Sequence, residues 1–213
     1  MSGWLRRLLV AAGGLACATL CSAAPDFATE LASDDARYAA DWILGAADHE
    51  GRPFAVVDKK AARIYVFDSA GHLIGASSAL LGAGLGDLSV PDIASRSVRS
   101  LSVAERTTPA GRFDSVPGHN DKGEAIVWID YDAAVAIHRL RPSPASERRA
   151  ERLASPSAAD KRISFGCIVV PVAFYESIVA PTLGRQRGVV YVLPEIQPVR
   201  AMFDAVASGL GVD

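Results

Sequence analysis

The sequence predicts a mainly β, single-domain protein with peripheral helices. Three observations carry that expectation. Short β-branched and aromatic runs recur from Pro53 onward, turn-forming clusters of Gly, Ser and Asp separate them, and helix-compatible segments are confined to the two ends and one polar stretch. Half of the 213 residues are hydrophobic and 22% are charged, which excludes a disordered chain, a collagen-like repeat and a multi-span membrane protein. The 22 basic residues face 24 acidic ones, so the chain lacks the basic surplus of a nucleic-acid binder.

The chain opens with a short basic region at Arg6 and Arg7, an apolar run too short to span a bilayer, and the small-residue exit Ser22-Ala-Ala-Pro25. That order is the signature of a secretory signal peptide, residues 1–23, with cleavage after Ala23. An N-terminal helical segment, residues 24–52, follows: Leu31, Tyr38, Trp42, Ile43 and Leu44 mark one face, and the helix ends at Gly45 or Gly51. Residues 53–195 form the β-rich domain. Phe54–Asp58, Arg63–Asp68 and Leu73–Ser77 read as a meander of strands, and Gly82–Ser102 as a long exposed loop. Gly111–Val116, Ala125–Tyr131 and Ala134–His138 resume strand character. Arg139–Ile163 is polar, with a short helix at Pro144–Leu153. Val172–Val179 reads as helix, Gly188–Leu193 as a last strand, and residues 196–213 hold a C-terminal helix.

Several motifs fail. Gly82, Gly84 and Gly86 suggest a nucleotide loop, but Asp87 stands where the third Gly of the dinucleotide fingerprint is needed. His49, His72, His119 and His138 show no i, i+4 pairing and no accompanying cysteine cluster, so neither a metal nor an organic cofactor is expected. Three cysteines are too few for a disulfide framework, and signal cleavage removes Cys17 and Cys21. Cys167 is then the one remaining thiol, either a buried inert side chain or a reactive one.

The reactive alternative needs a base, and imidazole is the usual partner. His138 ends an apolar strand that can hold its ring at a cleft. Gly166 has no side chain, so a substrate carbonyl can approach the N–H groups of Gly166 and Cys167 as an oxyanion hole. A Cys/His pair of this kind predicts a thiolate below the free-cysteine range.

Four pieces in order resemble the L,D-transpeptidase catalytic domain of bacterial cell-wall enzymes (the YkuD type). They are the strands Phe54-Ala-Val-Val-Asp and Ile64-Tyr-Val-Phe, the element Thr108-Pro-Ala-Gly-Arg-Phe113, the strand end Ile137-His138, and Ser164-Phe-Gly-Cys167. The likeness runs from about Pro53 to Leu193. It implies a β-sandwich-like fold, an exported location in the periplasm or wall space, and peptidoglycan stem peptides as partners. It also implies catalysis without a cofactor and no stable membrane span once the signal is removed. By the resemblance, Cys167 is the nucleophile, His138 its base, the Arg139 carbonyl orients the imidazole, Gly166 and Cys167 hold the oxyanion, and Ser164 supports the turn. The implied reaction attacks a tetrapeptide stem, releases D-alanine, and passes the acyl group from the thioester to an amine. A hydrolase using the same acyl-enzyme and a non-catalytic wall-binding domain are the alternatives.

Three features depart from the family pattern: Phe165 stands where His is usual, Ile168-Val-Val after the cysteine is wholly apolar, and the stretch between His138 and Cys167 is longer than usual. Between His138 and Cys167 lie Arg139, Arg141, Arg148, Arg149, Arg152, Lys161 and Arg162 against Glu147, Glu151 and Asp160. This basic segment either attracts stem carboxylates, with Arg148, Arg149 and Arg162 as substrate-binding residues, or is a solvated helix that fills an insertion.

Overall fold

The computed structural model describes Phe27 and residues 30–91, 93–97 and 100–208; the expected signal peptide, with Cys17 and Cys21, lies outside them. Helix α1 (Asp34–Gly45) begins where the Ser33 hydroxyl accepts the Ala36 amide at 3.1 Å. Asp34 and Asp35 sit in its first turn, where carboxylates oppose the positive end of the helix dipole. Its Ala36, Ala39, Ala40 and Ile43 face is buried.

Ten strands follow: β1 (Phe54–Asp58), β2 (Arg63–Phe67), β3 (Leu73–Ser78), β4 (Leu81–Gly82), β5 (Gly111–His119), β6 (Ala125–Asp130), β7 (Val135–Arg139), β8 (Arg162–Ser164), β9 (Ile168–Val170) and β10 (Gly188–Val192). Eight of them make one mixed sheet in the order β3-β2-β1-β10-β5-β6-β7-β9, while β4 and β8 pair separately in parallel. The pivot is β5, whose first half, Gly111–Ser115, pairs with β10 and whose second half, from Val116, pairs with β6. The sheet therefore folds over on itself. Val57 and Val190 from one half meet Val127, Ile137 and Ile168 from the other in a single core, which makes the architecture sandwich-like.

Strand alternation decides what the opposite face carries. Phe54, Val56, Tyr65, Phe67, Val189 and Tyr191 point away from the sandwich core and are covered by α1 and by helix α4 (Val199–Ala207). Both faces of β1 and β10 are thus buried, which explains their uninterrupted apolar runs. Full burial of each Val or Phe there contributes roughly 1.5–3 kcal/mol.

The segment Gly82–Ser102 differs from the expected exposed loop. It opens with β4, contains the 3-10 turn Ile93–Ser95, and buries Ile93 and Leu101 in the sandwich core. Glycine makes that approach possible, since a Cβ on Gly82 would lie 2.2 Å from the Arg106 carbonyl oxygen. The helix expected at Pro144–Leu153 is split into a 3-10 turn, Ala145–Glu147, and α2 (Arg149–Ala154), with Arg148 left-handed at φ +49° between them. Helix α3 (Val172–Phe174) runs on into a π turn, Tyr175–Val179. Among the described residues no helix is long and apolar enough to cross a membrane.

Candidate active site

The parallel pairing of β7 with β9 places His138 opposite Val169 and Ile137 opposite Ile168. Ile137, Ile168 and Val170 point into the core, so alternation turns His138, Val169 and Cys167 to the other face. There His138 and Cys167 line one cavity of about 380 Å³, together with Arg141, Arg149 and the apolar side chains of Leu101 and Phe165. The fold puts both residues on the lining of this one cavity although 28 residues lie between them in the chain.

His138 is only 8% exposed, and its Nδ1 lies 2.8 Å from the Arg139 carbonyl oxygen. A carbonyl only accepts, so Nδ1 carries the proton and Nε2 is the basic nitrogen. Burial, aided by the nearby Arg141 and Arg149 charges, pushes the imidazole down to about 4 against the Arg139 hydrogen bond. Burial also pushes the Cys167 thiol up, with the Ala136 amide, Arg141 and Arg149 acting in the other direction. Its Sγ faces the Ala134 carbonyl at 3.7 Å. Both shifts favour the uncharged forms, opposite in direction to the thiolate expected from the sequence. The reason is that both groups leave bulk water, and desolvation penalises each charged form.

The turn carrying the thiol is tightly braced. Ser164 Oγ donates to the Cys167 carbonyl at 2.6 Å and accepts the Gly166 N–H at 3.2 Å. The Gly166 amide is therefore engaged by Ser164, unlike its expected place in an oxyanion hole; the Cys167 amide remains the candidate donor. Gly166 has φ +130°, and a Cβ there would meet the Thr107 carbonyl oxygen at 2.8 Å, so both conformation and space require glycine. Phe165 lies beneath the Arg106 guanidinium, whose carbon is 4.4 Å from the ring centre.

The three expected substrate-binding arginines part company. Arg149 lines the cavity. Arg148 lies outside it, exposed and paired with Glu151. Arg162 also lies outside it, bonded to Glu195 and, at 2.7 Å, to the Lys59 carbonyl. Arg141, not among the expected site residues, lines the cavity instead, tethered to Glu124 at 2.9 Å. No local signal in the sequence distinguishes Arg141 from its basic neighbours. Thr108, in the Thr-Pro-Ala-Gly-Arg-Phe element, is likewise absent from the expected site residues, and its hydroxyl donates to the Gly166 carbonyl at 2.8 Å.

No family model matches the chain, and no curated protein matches it. Among solved structures it is similar to an Enterococcus faecium L,D-transpeptidase (C442S mutant) at 16% identity and TM-score 0.39, over 67% of this chain and 50% of that one. The E. faecium L,D-transpeptidase catalytic domain matches at 16% and TM-score 0.37, over 67% of this chain and 98% of that one. An L,D-transpeptidase from Xylanimonas cellulosilytica matches at 16% and 0.38, over 66% and 60%. The chain spans about half the length of the first of these. At such identities and TM-scores the likeness transfers neither mechanism nor substrate.

Proposed function

We propose that the protein is an exported cysteine acyltransferase that takes an acyl group from a carboxylate-bearing peptide, the peptidoglycan tetrapeptide stem, and passes it to an amine. The observation that carries this reading is the shared cavity: Cys167 and His138 line it together, with His138 Nε2 left as the free base and Arg141 and Arg149 beside them. In the first step His138 Nε2 takes the thiol proton as Sγ attacks the carbonyl of the third stem residue. The C–S bond forms, the Cys167 amide stabilises the oxyanion, and collapse expels D-alanine, whose amine takes the proton from His138. In the second step the acceptor amine attacks the thioester carbon. The C–N bond forms, C–S breaks, and a proton returns to sulfur through His138.

Burial of both groups favours their uncharged forms, so His138 Nε2 is available as a base near neutral pH. Arg141 and Arg149 supply positive charge for a substrate carboxylate, and the apolar lining strengthens that attraction. Incubation with a stem tetrapeptide, followed by intact-mass analysis, tests the reading. The expected result is an acyl adduct with loss of D-alanine in the wild type and none in Cys167→Ala, with cross-linked product when an amine acceptor is present. Trimmed stem alone would replace the transferase by a hydrolase; unchanged peptide and no adduct would overturn the reading.

A further inference from the structure

The Thr108 side chain is fully buried and makes two hydrogen bonds of opposite sense. Its hydroxyl donates to the Gly166 carbonyl at 2.8 Å and accepts the Gly82 N–H at 2.9 Å. Its main-chain carbonyl is held in turn by Lys59, whose Nζ donates to it at 2.9 Å. Lys59 is itself fully buried and also bonds the Gly86 carbonyl at 2.6 Å and Asp87 at 2.8 Å. The Gly166 carbonyl and the Cys167 N–H belong to one planar trans unit and so point in opposite directions. Fixing the carbonyl on Thr108 turns the Cys167 N–H away from Thr108. Because the Gly166 N–H is engaged by Ser164, this orientation decides where the turn's remaining candidate donor points.

We propose that Thr108 is a positioning residue: its hydroxyl sets the plane of the Gly166–Cys167 peptide and thereby aims the Cys167 amide at the oxyanion of an acylation intermediate. The proposal rests on the reading of Cys167 as an acylated nucleophile, but not on the identity of the acyl donor. It separates two reactions of the same thiol. Acetylation by p-nitrophenyl acetate passes through a tetrahedral oxyanion: a C–S bond forms, p-nitrophenolate leaves, and the thiol proton passes to His138 and then to solvent. Alkylation by iodoacetamide displaces iodide at a saturated carbon and develops no oxyanion.

The test measures both rates on Cys167 in the whole protein, by phenolate release and intact mass, for wild type, Thr108→Val and Thr108→Ser. Thr108→Val is expected to slow acetylation about 10- to 100-fold while alkylation stays within about twofold, and Thr108→Ser, which keeps the hydroxyl, to restore acetylation. Equal acetylation in Thr108→Val and wild type overturns the proposal, as does a parallel fall in both reactions or no acetylation of wild-type Cys167. If circular dichroism shows that Thr108→Val does not fold, Thr108→Ala carries the same comparison. Acetylation that behaves as expected, in a protein that forms no adduct with stem peptides, would remove the proposed substrate and leave the role of Thr108 standing.

Discussion

Two sets of charged side chains surround the Ser164–Cys167 turn, and they are built differently. Behind Thr108, Lys59, Asp87, Glu195 and Arg162 neutralise one another out of water: Lys59 meets Asp87 at 2.8 Å and Glu195 at 3.6 Å, and Arg162 bonds Glu195. Asp87 also accepts the amides of Glu195, Ile196 and Gln197, tying the chain after β10 to the loop after β4. Burial pushes the Asp87 carboxyl up, but Lys59 and those amides outweigh it and hold it below the usual range. In the cavity, Arg141 and Arg149 are tethered to Glu124 and Glu147, yet their charge still reaches across to His138 and adds to the depression that burial causes. The first set holds the chain together; the second leaves a field on the cavity. Charge type does not separate structure from function here; the completeness of its neutralisation does.

The sharpest way to break this comparison is at the thiol. Cys167→Ala should abolish acyl-adduct formation, while its urea midpoint moves by less than about 1 kcal/mol equivalent, because a half-buried side chain in a braced turn carries little packing. Substantial unfolding of that variant would make Cys167 part of the structural set.

Lys59→Met should have the largest effect on stability, a loss of about 3–5 kcal/mol by denaturant titration, since it strands Asp87 and Glu195 without their cation. A loss below about 1 kcal/mol would mean that the cluster behind Thr108 is no better neutralised than the cavity.

His138 sharpens the comparison through pH. Its folded value of about 4 lies below the ordinary imidazole value of 6.5, so between these limits the unfolded chain binds the extra proton. Its contribution to stability is therefore complete above about pH 6.5 and is lost as pH falls toward 4, on the order of 3 kcal/mol in all. Urea midpoints at pH 7.5 and 4.5 should diverge more in wild type than in His138→Gln, and identical divergence would remove the effect from this residue.

The smallest effects are expected at the arginines. The double variant Arg141→Gln, Arg149→Gln should weaken binding of an anionic stem peptide by about tenfold at low ionic strength and by less at high salt, where screening shortens the field. Arg148→Gln, exposed and outside the cavity, should change binding by no more than about twofold. Calorimetric titration of both proteins decides it, and equal losses would erase the distinction between cavity and surface charge.

Elements with a short-range signal are legible in the sequence alone. The β1–β3 meander follows from alternating β-branched runs and the turns at Asp58–Ala62 and Ser69–His72, and α4 follows from the apolar spacing of Val199, Met202 and Phe203. It also singled out Cys167 and His138, because a thiol and an imidazole are rare enough in this chain to be followed individually. It missed β4 and β8, which are two and three residues long and owe their existence to a partner, not to propensity. Only the tertiary structure decided which arginines face the cavity, since Arg149 and Arg162 look alike in the chain until Glu195, 33 residues on, claims one of them. It alone decided how far the pair is withdrawn from water as well. A motif specifies which groups meet, but the water they lose depends on how β5 folds one half of the sheet over the other, and that loss disfavours the charged form of each.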